Sequence, residues 1–202
     1  ADSPQDEAIA AQVVNSLRNR YAVPIEAWGQ TVEHLKNLEK TKPVSRELIH
    51  TVSIKLGSRH LKGRDIRDEI TIPSMAKYIE ALESTAKGWI DKNTKSRNEN
   101  LPYFGLCKSD TKELVHVVLS CAAALAARHG NVYIPRKSEI FDLYRNHISN
   151  QWNALIKEVY EILWQEWEYA LPERTDDQAL LLNICKQTLE FEKFAKDQFF
   201  IQ

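Results

Sequence analysis

The sequence predicts an all-α protein, a compact bundle of about seven to eight helices, and three observations lead there. Apolar residues recur at helical spacing along most of the chain, and no alternating strand pattern of any length competes with them. The one strand-like stretch, "NVYIP" at 131 to 135, is ended by Pro135. Six glycines in 202 residues suit few tight turns. The third observation is "LVHVVLSCAAALAA", Leu114 to Ala127, which is apolar on nearly every face. A helix of that kind belongs at the centre of a bundle, which places the central helix near residues 110–127.

The elements follow in order. "SPQD" at 3 to 6 offers a Ser cap, Pro at the first helical position and an acid three residues on, ahead of Ile9, Val13 and Leu17. A second helix starts after Pro24, with Ile25, Trp28, Val32 and Leu35 on one stripe, and stops near "KTKP". A third runs from Ser45 to Leu56 and is closed by Gly57. Ile72, Met75, Ala76, Ile79, Leu82, Ala86, Trp89 and Ile90 trace the fourth. "DTKE" at 110 to 113 is a capping box for the central helix, which "RHGNVYIPRK" ends. Ile140, Phe141, Tyr144 and Ile148 mark the next. Trp152, Leu155, Ile156, Val159, Tyr160, Leu163 and Trp167 make the strongest stripe of all. "TDDQ" at 175 to 178 opens a last helix carrying Leu180, Ile184, Phe191, Phe194 and Phe199. The chain reads as a single domain, 1–202. The most polar run, at 92–101, is the one candidate linker and would divide it into 1–92 and 107–202.

Composition removes several function classes. The longest apolar run is too short for a bilayer, which needs roughly twenty residues, so no membrane partner is expected. The first residues show no basic segment followed by an apolar one, which suits an intracellular protein, although a processed chain would read the same way. Cys107, Cys121 and Cys185 form no CxxC pair, so zinc-finger and thioredoxin-like chemistry lack their motif. There is no Walker loop, GxGxxG, HExxH or Gly-x-Ser-x-Gly elbow, and neither a cofactor nor a catalytic residue is expected.

One metal motif requires weighing. "ELIH" at 47 to 50 and "ELVH" at 113 to 116 each set a carboxylate and an imidazole on one helix face, as di-metal carboxylate bundles do. Glu47, His50, Glu113 and His116 would be the ligands of such an enzyme. Two such pairs are close to chance for 18 Glu and six His. The expectation is therefore no metal, with the di-metal enzyme ranked third among the functional readings.

Charge gives the leading reading. The formal net charge is −1, yet residues 51–150 hold 16 Lys/Arg against 11 Asp/Glu, and residues 151–202 hold five against ten. The basic residues gather in inter-helix turns. "KLGSRHLKGRDIRD" at 55 to 68 carries Arg59, His60, Lys62, Arg64 and Arg67, and the second turn carries Arg128, Arg136 and Lys137. In an antiparallel bundle the two turns, separated by two helices, would share one end, where phosphate contacts add. Asp65, Asp68 and Glu69 argue the other way, since they are able to neutralise the first turn internally. The expected function is a non-enzymatic helical protein that contacts RNA or single strands, as a coat, nucleoprotein or accessory factor. The alternative is an adaptor that docks a protein partner, or a second copy of itself, through its aromatic C-terminal helices. Trp164 sits off the centre of the strongest stripe and is the tryptophan of that group placed to reach a partner.

Overall fold

The computed structural model describes residues 8–9, 12–13, 15–16, 35–36, 45–60, 64–96 and 108–200. Among the described residues there are six α-helices and no strand, so the all-α class holds and the expected count of seven to eight is not matched. The two helices expected before Pro43 lie outside the described residues, apart from four isolated helical pairs. No helix among the described residues is long and apolar enough to cross a membrane. The chain divides into two compact units, Ala1–Pro73 and Ser74–Gln202, and both helices that flank the polar run 92–101 belong to the second.

In the first unit, α1 (Ser45–Val52) continues into a π-helical turn at Ser53–Gly57 and leaves it through an extended Ser58. The segment then returns through a 3-10 turn at Arg67–Glu69. Leu35 and Ile70 are buried together, with Ile54 and Ile66 packed on them. Lys55 Nζ donates to the Ile70 carbonyl at 2.6 Å, closing the segment back onto the π turn.

The second unit is built around α3 (Lys108–Gly130), which packs against α2 (Met75–Ser96), α4 (Ile140–His147), α6 (Thr175–Phe200) and the π-helical stretch Val159–Glu166 that continues α5 (Asn153–Glu158). From Cys121 onward the helix is enclosed on all sides, and every residue through Ala127 is buried. Small alanine side chains let neighbouring backbones approach from every side, which is why an apolar-all-round helix with little amphipathic asymmetry sits here. Its C-terminus is a Schellman cap. Asn131 takes the left-handed conformation at φ 51°, and the Val132 N–H donates to the Ala127 carbonyl at 3.3 Å. Gly130 has no Cβ where one would stand 2.6 Å from the His147 ring.

The buried face of α2 is Tyr78, Ala81, Leu82, Ala86 and Ile90, turned from the expected stripe: Ala76 is exposed, and Met75, Ile79 and Trp89 are half-buried. Tyr78 explains the rotation. Its ring is fully buried, its hydroxyl donates to the Ile134 carbonyl at 3.1 Å, and it accepts from the Ile134 N–H at 3.2 Å. One phenol thus satisfies both backbone groups of a residue in the α3–α4 turn, and a polar-tipped aromatic stands outside the apolar stripe that the sequence presents. The α5 stripe holds for Trp152, Leu155, Ile156, Val159 and Leu163, all buried, whereas Tyr160 and Trp167 are only half-buried. The wider π turn departs from the 3.6-residue period that places them on the stripe.

Candidate nucleic-acid interface

The two basic turns fall in different units and take different local structures. In the first unit, Asp65 and Glu69, two of the acids that argue for internal neutralisation, engage the cations. Arg67 Nε donates to Asp65 Oδ1 at 2.9 Å and Oδ2 at 3.0 Å, and its Nη1 donates to the Ser58 carbonyl at 3.1 Å. The Asp65 side chain also accepts from the Arg67 backbone N–H at 3.1 Å, an Asx turn that fixes the start of the 3-10 segment. The Arg67 guanidinium holds the Asp65 carboxyl down at about 2, from an ordinary 3.8. Glu69 is shared by Lys36 and Arg64, and hydrogen bonds from the two hold its carboxyl below the usual range. Arg67 is thereby a brace of the turn, while Arg64 remains 71% exposed and projects from it. Arg59 and His60 are exposed; Lys62 lies outside the described residues.

In the second unit the candidates separate again. Arg128 is half-buried, and its Nη1 donates to Glu83 Oε1 at 3.1 Å and to the Gln198 carbonyl at 3.0 Å, which ties α3 to α2 and to the end of α6. That is a structural clamp. Arg136 is 58% exposed, with Glu139 at 3.8 Å. Lys137 is exposed, and its ammonium lies 4.8 Å above the ring of Trp164, within cation–π range. Tyr160 meets the same indole edge-on, with centroids 5.2 Å apart and planes at 82°, and its hydroxyl accepts from Gln165 Nε2 at 2.8 Å. Lys137 and two half-buried aromatics, Tyr160 and Trp164, therefore share one surface on the second unit. The pairing of Lys137 with Trp164 has no signal in the linear sequence, because α4 and α5 intervene; only the off-stripe position of Trp164 points outward.

The four residues of the metal alternative are divided between the two units. Glu47 and His50 belong to the first unit, Glu113 and His116 to the second. Glu113 accepts from Lys92 Nζ at 2.6 Å, and the His116 ring stacks on Trp89 at 4.7 Å and 5°, with the Lys92 ammonium 5.1 Å from the same indole. Among the described residues, no group of three or more His, Cys, Asp or Glu is arranged to hold a metal ion. The thiols of Cys121 and Cys185 are buried, and burial pushes both upward, Cys185 to about 12. Neither is placed for thiolate chemistry. No family model, no curated protein and no solved structure matches the chain.

Proposed function

We propose that the chain is a non-enzymatic helical protein that binds nucleic acid by its phosphates, through cations displayed on inter-helix turns. The observation that carries the reading is the exposure of Arg64 and Arg136, 71% and 58%, each on a turn whose geometry is fixed by other contacts. Arg59, His60 and Lys137 extend the two surfaces; Lys62 is retained from the sequence. Arg67 and Arg128 act indirectly, by bracing a turn and by clamping helices. An anchored turn presents its cations with little left to order on binding, which is what phosphate contact favours.

The test is binding of labelled RNA and DNA oligonucleotides over a salt series. Affinity is expected to fall linearly with the logarithm of salt, and Arg64→Glu with Arg136→Glu to weaken binding for all sequences alike, since phosphate contacts position without reading bases. Affinity indifferent to both reversals removes the reading. A second reading, a protein-docking module, has an observation of its own: Leu182 on α6 is 45% exposed and Leu171 just before that helix is 36% exposed. A partner held there would bind with little salt dependence and be lost on Leu182→Asp.

A further inference from the structure

The aromatic surface of the second unit says more than phosphate contact requires, and this inference rests on the nucleic-acid reading. We propose that Trp164 is the stacking position for an unpaired base of a single strand, with Lys137 as the cation that leaves the ring to take the adjoining phosphate. Trp164 stands on the π stretch while its neighbours Val159 and Leu163 fill the core, so the indole is fastened at its base and half-exposed above. Tyr160 buttresses it edge-on and is itself fixed by Gln165. Such a ring loses little freedom when a base settles on it. π-helical insertions of this kind occur frequently at functional sites.

Lys137 gives the site its direction. Its ammonium occupies the ring face at 4.8 Å, and Arg136 is next to it in the chain. A base has a π face that replaces the ammonium on the indole, and the nucleotide's own phosphate then offers the displaced cation a stronger partner. The acids nearby have cations of their own, Glu139 lying 3.8 Å from Arg136. Glu161 is engaged by Lys157 at 3.8 Å, and Glu168 follows the π stretch in a left-handed conformation at φ 48°. A phosphate is attracted to Lys137 at the edge of the indole, so the base that adjoins it settles on Trp164. Paired bases have no face to offer, and a duplex gains only the phosphate contacts.

The experiment titrates the full chain with oligothymidylate and with a DNA duplex of equal length, following both affinity and tryptophan emission. The single strand is expected to bind about tenfold tighter or more and to quench emission, base–aromatic stacking being worth about that much per base. Trp164→Phe keeps most of the affinity and removes the quench. Trp164→Leu weakens single-strand binding about tenfold and leaves duplex binding unchanged. Lys137→Gln reduces the salt slope by about 0.7, the share of one phosphate contact on a single strand. Quenching that survives Trp164→Phe overturns the stacking assignment while leaving phosphate binding in place. So does unchanged single-strand affinity in a Trp164→Leu variant with the parent's circular dichroism. Should Trp164→Leu fail to fold, the Phe variant decides alone. Absence of affinity for either nucleic acid overturns this inference together with the reading it rests on.

Discussion

Asp65 and Arg67 show how a charged turn becomes a built one. The guanidinium bridges the Asp65 carboxylate and the Ser58 carbonyl, so a residue that looks like a phosphate ligand in the sequence commits its donors inside the turn. Because the folded carboxyl titrates at about 2, below its ordinary value, the contribution of this pair is complete above the ordinary value. It is lost as pH falls through about 2. The group is exposed, so the contribution is small. The expected outcome is an Asp65 carboxyl resonance that stays ionised until about pH 2 and returns to the ordinary range in Arg67→Ala. A titration unchanged by Arg67→Ala would show that the pair does not form in solution. Buried thiols give a second expectation at this scale. Cys121 and Cys185 should resist alkylation at neutral pH in the folded protein and react on unfolding. Alkylation of either at the rate of a small-molecule thiol would contradict their burial.

Helices and turns carry the next expectations. Tyr78 is the link that satisfies the N–H and C=O of Ile134, and burial raises its hydroxyl to about 12. Tyr78→Phe removes one hydroxyl and strands two buried backbone groups, which should cost about 1–3 kcal/mol in denaturant unfolding. Its effect should reach the cations of the same turn: amide exchange from Val132 to Arg136 should accelerate beyond the global change. Uniform exchange across the second unit would mean the phenol contributes stability without pinning the turn. At the α3 C-terminus, Asn131→Val places a β-branched residue in a left-handed conformation and should cost about 1–2 kcal/mol. The helices are legible in the sequence because apolar periodicity is local, and α3 with its end at "RHGN" follows from it directly. The rotation of α2 does not, since a residue with a polar tip reads as neither core nor surface until its partner, 56 residues away, is known. Likewise, the acids in "RDIRDE" announce neutralisation, but which cation each takes depends on the shape of the turn.

For the whole molecule, the decisive property is that the second unit holds a core of its own. Tyr78, Ile90, Leu114, Leu125, Tyr144, Leu155, Leu163, Ile184 and Phe191 are fully buried side chains spanning α2 to α6 and the π stretch. Running from Ser74 to Gln202, the unit exceeds the size at which a single hydrophobic core suffices without metal or disulfide. A fragment of residues 74–202 should therefore fold alone, with strong helical circular dichroism and one cooperative thermal transition. It would also retain Arg136, Lys137, Tyr160 and Trp164 and lose Arg59, His60, Lys62 and Arg64. Two consequences distinguish the roles proposed for the units. The fragment should keep tryptophan quenching by oligothymidylate, because the stacking role is proposed for Trp164. Its salt slope should be smaller than that of the full chain by about 0.7 for each phosphate contact contributed by the first unit. A fragment that folds and binds with the parent's slope would show that the first basic turn makes no phosphate contact, leaving it a polar bend braced by Asp65 and Glu69. A fragment that fails to fold would show that the core of residues 74–202 depends on the segment before it.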